Sequence, residues 1–342
     1  MKVNNHRFRS QKGLTLIEIM ISLLIGVFLI VGVIQLFINS KQTYRVQEAL
    51  ARLQESGRFA LDFLDRDIRM AGFRGCASRG ASAQVSNYLG SASSYVYDFT
   101  NPVQGFDAGS SAWNPTLPGA ITSQTTPSTG KDIITIRRAA EDSAQVVSAS
   151  LTDRRLTLNR NTIPGLKTCD VVMVSDCSHA AVFQISSFDS ANKYANYASG
   201  GCSTSPAGGN AGVLDRTYVG GNLNKALTTS YFIKNNANAQ PALFRLSNSN
   251  AEEELVEGVE DMQIAYGQDT DGDGTANIYV KANNATWANI VSVRISLLLR
   301  TIDDNIAAKP ISYYFDDTEK PAADKRIRRV FTSTIAIRNK LP

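Results

Sequence analysis

The chain is short of the residues on which most enzyme chemistry is built. Two histidines occur in 342 residues, and His6 lies in the polar stretch that opens the sequence. His179 is then the sole imidazole of the remainder, which gives histidine-based acid–base catalysis little to work with. No serine stands in a Gly-x-Ser-x-Gly elbow, and no Walker loop is present to cradle phosphate. Gly208-Gly209-Asn210-Ala211-Gly212 reads as a flexible loop, not a dinucleotide fingerprint. These absences speak against an enzyme. Charge of one sign is also scarce. The formal excess is +4, and Lys2, Arg7, Arg9 and Lys12 account for all of it. The chain beyond Lys12 is electrically neutral, so the overall basicity is weak support for nucleic-acid binding.

What the chain does have is a long apolar run. Leu14 to Ile38 is 25 residues with Glu18 as its only charge. At helical rise that is about 37 Å, enough to cross a hydrocarbon core of about 30 Å. A secretory signal would place its small-residue cut site after the apolar stretch. Here the small residue at the charge-to-apolar junction is Gly13, before it, so cleavage there keeps the hydrophobic segment. The basic leader predicts a cytoplasmic N-terminus with the rest of the chain outside the cytoplasm. A carboxylate near the mouth of such a helix is expensive and is a functional hypothesis by default. The plain alternative is a signal anchor with an accidental glutamate.

Gly13-Leu14-Thr15-Leu16-Ile17-Glu18 resembles the class III signal of type IV prepilins and pseudopilins: a basic leader ending in glycine, an apolar first mature residue, and glutamate as the fifth. The resemblance implies that a prepilin peptidase cuts between Gly13 and Leu14 and methylates the new amine. It implies too that Glu18 pairs with a cationic N-terminus, a neighbour's or its own, as helices pack into a filament. Two departures stand out. Leu14 replaces the usual phenylalanine, and Gln35 occupies a position where many major pilins carry a kinking proline. Gly26 and Gly32 are the weak points that remain.

The helical pattern continues past the membrane. Leu50, Leu53, Gly57, Ala60, Leu61, Leu64, Ile68 and Ala71 recur at three- and four-residue steps. The opposite face carries Arg45, Glu48, Arg52, Glu55, Asp62, Asp65 and Arg69. Glu48–Arg52, Asp62–Arg66 and Asp65–Arg69 are expected as i,i+4 pairs. Gly72 and Gly75 are stop signals. The pattern predicts one helix from about residue 14 to 71, its outer half needing a sheet to cover its stripe. Residues 78–130 read as a loop-rich insertion with a short helix. Strands are expected at Ile133–Arg137, Ala144–Leu151, Val171–Val174, Ala181–Ser186, Tyr231–Lys234, Ala242–Leu246, Met262–Tyr266, Ile278–Lys281, Ile290–Leu299 and Val330–Ile337. The fold class is α+β, a long helix packed on an antiparallel sheet, which is also the pilin architecture. The expected organisation is a leader at 1–13, a transmembrane part at 14–38, an amphipathic part at 39–72 and a β-rich periplasmic head at 73–342.

Three further stretches resemble PilW-type minor pilins. They are Arg69-Met70-Ala71-Gly72-Phe73-Arg74-Gly75-Cys76, then Val172–Cys177 with Ala181-Val182-Phe183-Gln184, and Arg329–Asn339 near the C-terminus. The resemblance implies an inner-membrane precursor that joins other minor pilins and the major pilin near a pilus tip, primes assembly and helps present an adhesin. The J-type pseudopilin of type II secretion shares the N-terminal signal and is the nearest rival. A pilus-associated module binding DNA or calcium is a third reading.

Cys76, Cys169, Cys177 and Cys202 all lie beyond the membrane segment, and an even number in an exported domain suggests two disulfides with three connectivities. An extended Val171–Ser175 would hold Cys169 and Cys177 too far apart to bond. Cys76–Cys177 with Cys169–Cys202 is the favoured pairing, and free buried thiols are the alternative. Asp269-Thr270-Asp271-Gly272-Asp273-Gly274 opens like a calcium loop, with Asp269, Asp271, Asp273, the Thr275 carbonyl and Asn277 as candidate ligands. Val280 occupies the twelfth position, where a bidentate glutamate belongs, so a full EF-hand is excluded. An Asp-Gly hairpin turn without metal is the preferred reading. No cofactor is required. Lys325, Arg326, Arg328 and Arg329 form a basic cluster that suits a solvated strand edge or subunit contact better than DNA. Glu252-Glu253-Glu254 reads as an acidic surface turn.

Overall fold

The computed structural model describes residues 13, 15–77, 84–92, 94–110, 112–197, 202, 212–248 and 251–340. The leader up to Lys12, Leu14, and residues 198–201 and 203–211, with most of the Gly208–Gly212 stretch, lie outside the described residues. Helix α1 runs Leu16–Arg69, and the chain divides into two compact units after Ala51. In the first unit the large side chains from Leu16 to Ile38 are exposed on every side of the helix. Such a segment fits a bilayer or a bundle, not water. By length and composition it can cross a membrane.

In the second unit α1 is amphipathic and buries Leu53, Gly57, Ala60, Leu64, Asp67 and Ile68. Their three- and four-residue spacing puts them on one stripe. Gly57 allows a close approach: a Cβ there would lie 2.6 Å from the Phe331 ring. Glycine inside a helix costs about 1 kcal/mol relative to alanine, so the contact must offset that. Gly72, at φ +72°, ends the run, and its N–H donates to Arg137 C=O at 2.9 Å. The Asn339 amide donates to the Ala71 carbonyl at 3.0 Å.

Asp67 is the one charged residue on this buried stripe. Its carboxylate accepts from Arg138 Nη2 at 2.9 Å and from the Tyr231 hydroxyl at 2.7 Å. Those partners sit on adjacent strands, so the helix is tied to the sheet by a buried charge pair. Burial, first, and the Asp67 charge push the Tyr231 phenol well above its ordinary range.

Among the described residues a twelve-stranded sheet runs in the order Gln84–Asn87, His179–Gln184, Val171–Ser175, Asn222–Asn235, Ile133–Ser150, Arg155–Leu158, Tyr194–Asn196, Ser187–Asp189, with Pro241–Ser247, Glu253–Glu257, Val103–Ala108 and Trp113–Asn114 on side branches. Its pairings are antiparallel except Gln84–Asn87 with His179–Gln184. A four-stranded antiparallel sheet has the order Ile278–Val280, Val259–Gln268, Ile290–Arg300, Arg328–Ala336. Asp132 links the two sheets, accepting from Ala108 N–H at 2.9 Å and Ile264 N–H at 2.8 Å. Burial pushes this carboxyl up to about 7 against the pull of those donors.

The loop-rich insertion is organised by a buried cation. Arg137 is 1% exposed, and its guanidinium donates to the carbonyls of Tyr95 and Asn101 and to Gln104 Oε1. It also lies 4.8 Å from the centre of the Tyr95 ring. A single side chain thereby satisfies carbonyls that a loop would otherwise leave unpaired. Disulfides join Cys76 to Cys177 and Cys169 to Cys202. The first closes a loop of 101 residues, worth about 4–5 kcal/mol in the chain-entropy picture.

Some expectations need correction. Ile133–Arg137 and Ala144–Leu151 are one continuous strand, Ile133–Ser150. Arg66 does not pair with Asp62; it forms a two-point contact with Glu141 at 2.9 and 3.0 Å, and Asp62 turns to Arg58 at 3.8 Å. Exposed i,i+4 pairs are worth a few tenths of a kcal/mol, so a better-placed carboxylate from the sheet wins. Asp65–Arg69 forms at 2.9 Å. Glu253 and Glu254 open a strand instead of a turn because Arg245 and Asn236 meet them across it, at 2.7 and 2.8 Å.

Replacing Asp67 with alanine strands Arg138 without its carboxylate and should destabilise the head by about 3–5 kcal/mol. Tyr231→Phe, which removes one hydrogen bond, should cost about 1 kcal/mol. Thermal unfolding of the full-length protein in detergent measures both, and equal melting of Asp67→Ala and wild type would contradict the anchor.

Candidate functional site

The N-terminus of α1 carries the residues singled out for processing and assembly. Gly13 is exposed, and a Cβ there would meet nothing within 4 Å. Leu14 lies outside the described residues. Thr15 precedes the first helical residue, and Glu18 stands three residues on. The Thr15 N–H and hydroxyl approach Glu18 Oε2 at 3.4 and 3.3 Å, and the Thr15 carbonyl accepts from Glu18 N–H at 3.1 Å. This is one half of a capping box, a carboxylate turned back on the N-cap residue. Among the described residues no cation approaches Glu18 within ion-pair distance. Its carboxylate is therefore held by the helix end, where the dipole favours negative charge, and lacks a counterion within the described chain.

The Asp269–Asn277 loop closes on itself. Asp269 accepts the N–H groups of Asp271, Gly272 and Gly274 at 3.1, 2.6 and 2.8 Å. The N–H groups of Gly272 and Gly274, first and second in strength, hold that carboxyl below its ordinary range. Both glycines have positive φ, as the turn requires. Oxygens of the three aspartates lie within 4.8 Å of one another. Asn277 turns its amide nitrogen to Asp271 at 3.1 Å, while its oxygen accepts from Thr270 N–H at 2.7 Å. Asn277 thus offers no free oxygen to an ion. The three carboxylates and the Thr275 carbonyl remain as candidate donors, where calcium takes six to eight oxygens.

Two of the four residues of the basic cluster, Arg326 and Arg328, are paired within the fold. Arg328 reaches Glu260 at 2.6 and 3.1 Å and Asp324 at 2.7 and 3.1 Å. Arg326 contacts Asp324 at 3.1 Å and Asp304 at 3.9 Å. A forked guanidinium suits two carboxylates in this way. Arg329 is left exposed. His179 Nδ1 lies 2.6 Å from Arg216 Nη1 and 2.9 Å from the Ser178 hydroxyl, which donates to Asp176 at 2.8 Å.

Asp67 and Arg137 are the residues that sequence reasoning missed. Each has a signal in hindsight: Asp67 falls on the apolar stripe three residues after Leu64, and Arg137 interrupts an apolar strand run.

A membrane-length N-terminal helix joined to a disulfide-bonded, antiparallel β domain defines the pilin-like class of membrane-anchored proteins. Residues 8–34 match the prokaryotic N-terminal methylation motif, and residues 230–339 match the type IV pilus-assembly protein W family, PilW. Over these two segments the chain is similar to PilW-family pilins of the type IV pilus. The Arg329–Asn339 motif falls inside the PilW match, whereas Arg69–Cys76 and Val172–Cys177 lie outside both matched segments. No curated protein and no solved structure gave a match. The matched family is one of pilus-assembly proteins, not enzymes.

Hydrogen bonds from Arg328, before those from Arg326, hold the Asp324 carboxyl far below its ordinary range. A depressed carboxyl contributes stability that is present above its unfolded pKa, about 4, and is lost as pH falls below that. Unfolding measured against pH should therefore show an acid limb that flattens in Asp324→Asn; an unchanged limb would count against the network.

Proposed function

We propose that this chain is a minor pilin that is cut by prepilin peptidase between Gly13 and Leu14, methylated at Leu14, and drawn into the pilus through Glu18. Before assembly the apolar half of α1 holds it in the inner membrane, with the head on the periplasmic side as the basic leader predicts. It then joins other minor pilins and the major pilin near the tip, primes assembly and helps present an adhesin. The observation that carries this reading is the methylation-motif match over residues 8–34, centred on a carboxylate whose described partners are Thr15 alone. A carboxylate and an ammonium are each costly in low dielectric and stabilise one another when paired. Glu18 then acts as a checkpoint of register: only a subunit seated with its amine or its neighbour's beside the carboxylate is free of that cost. The match over residues 230–339 favours the pilus over type II secretion.

Glu18→Ala should leave cleavage largely intact while removing the protein from sheared pili, as immunoblotting of the pilus and membrane fractions would reveal. Wild-type amounts of the variant in pili would sink the assembly role.

We take the Asp269–Asn277 loop as a self-capped turn. The calcium reading is supported by the convergence of its three aspartates. The melting midpoint of the full-length protein should be the same in millimolar calcium and in chelator. A calcium-dependent rise that disappears in Asp271→Ala would instead establish an ion site.

A further inference from the structure

The four-stranded sheet ends on Arg328–Ala336. Two hydrogen bonds framing its ladder fix which backbone groups are engaged. Thr301 N–H donates to Ile327 C=O at 3.0 Å on one side, and Ile337 N–H donates to Val291 C=O at 2.8 Å on the other. Between them the register runs from Arg300–Arg328 to Ser292–Ala336 without a bulge. Bonded and non-bonded pairs alternate in an antiparallel ladder. Arg329, Phe331, Ser333 and Ile335 therefore exchange hydrogen bonds with Ile290–Arg300. The N–H and C=O groups of Val330, Thr332 and Thr334 face away from the sheet, and no hydrogen bond among the described residues reaches them.

Open edges are ordinarily blunted by shortness, charge, bulges or proline. Ile278–Val280 and Ser187–Asp189 are three residues long, and Gln84–Asn87 is four. Glu253–Glu257 carries three glutamates and a bulge. Arg328–Ala336 has nine residues, no proline and no bulge. Val330 is 43% exposed, and Thr332 and Thr334 are exposed on the face opposite α1. On that face lies a groove of ≈ 390 Å³ lined by Val330, Arg294, Tyr314, which is 68% exposed, Lys281 with its ion-pair partner Asp316, and Asp317.

Charge narrows the occupant. From Lys325 to Pro342 there are six basic residues and no acid. Arg326 and Arg328 are paired internally, but Arg329 and Arg338 stand exposed near the two ends of the strand. Two copies paired antiparallel through this edge would bring cation against cation, which is unfavourable. We infer that Arg328–Ala336 is an acceptor edge for an extended strand of a different pilin subunit, one with apolar or β-branched residues facing Val330 and Thr332 and carboxylates toward Arg329 and Arg338. The inference rests on the reading of the chain as a pilus subunit. Main-chain hydrogen bonds would supply affinity and the groove would select the side chain beside Val330.

Thr332→Pro removes an outward N–H and leaves the ladder to Ile290–Arg300 untouched, whereas Thr332→Val keeps the backbone and the β preference. Both are made in the full chain, expressed in place of wild type in cells that assemble pili. Thr332→Pro is expected to melt like wild type yet to fall about tenfold or more in sheared pili, while Thr332→Val matches wild type. Deuterium exchange on the wild-type chain in membranes supplies a readout independent of any variant. Amides of Val330, Thr332 and Thr334 should exchange about tenfold more slowly when the other pilins are co-expressed. Normal entry of Thr332→Pro into pili, unchanged exchange, or self-association of the chain alone through this edge would overturn the assignment. Wild type present in pili with freely exchanging edge amides defeats the edge alone; wild type absent from pili, with those amides unprotected, defeats the pilus reading together with it.

Discussion

A carboxylate withdrawn from water without a partner costs several kcal/mol, and α1 presents that problem twice. At Asp67 the solution is internal. Arg138 and Tyr231 come from two neighbouring strands to meet one side chain, and the helix is thereby locked to the large sheet. At Glu18 the described chain offers only the N-cap residue Thr15. Asp67 thus has its partners within the head, whereas Glu18 has no cationic partner among the described residues. On the proposed reading, the amine created at Leu14, its own or a neighbour's, supplies what is missing there.

The remainder of the head is built around that anchored helix. Gly57 lets the Phe331 ring come close, so the C-terminal strand is packed from one side by α1. Asp132 then couples the C-terminal sheet to the large one through two N–H groups. Arg137 satisfies the carbonyls of the insertion beyond the helix. Of the basic cluster that looks like a surface signature in the sequence, Arg326 and Arg328 are engaged inside the fold, with Arg328 shared between Glu260 and Asp324. Among the described residues the head leaves the long outer edge of Arg328–Ala336 without a paired strand.

How much of this was legible in the sequence depended on the range of the interaction. The Gly13–Glu18 signal, the apolar run and the helical stripe are local, and periodicity or composition exposes them directly. The disulfide partners were only partly legible: the Val171–Ser175 strand holds Cys169 and Cys177 apart, which removes one of three connectivities, and the fold decides between the other two. Asp67 was not, because one acid on an apolar stripe signals a buried role only once Arg138 and Tyr231 are known to face it. The shift of Arg66 from Asp62 to Glu141 likewise depends on a strand that passes the helix from far along the sequence. Val103–Ala108 was hidden inside a region read as loop, since its pairing partner, Ile133–Ser150, decides that it is a strand. Edge status is a property of topology and cannot be read from Arg328–Ala336 alone.

The central claim is that Glu18 is matched to an amine created at Leu14. Intact-mass and N-terminal peptide analysis of the wild-type protein recovered from the membrane and pilus fractions tests it most directly. The account predicts a mature chain that begins at Leu14 and carries one methyl group on its α-amine. A chain that retains Met1–Gly13 in both fractions, or begins beyond Ile38, would contradict it.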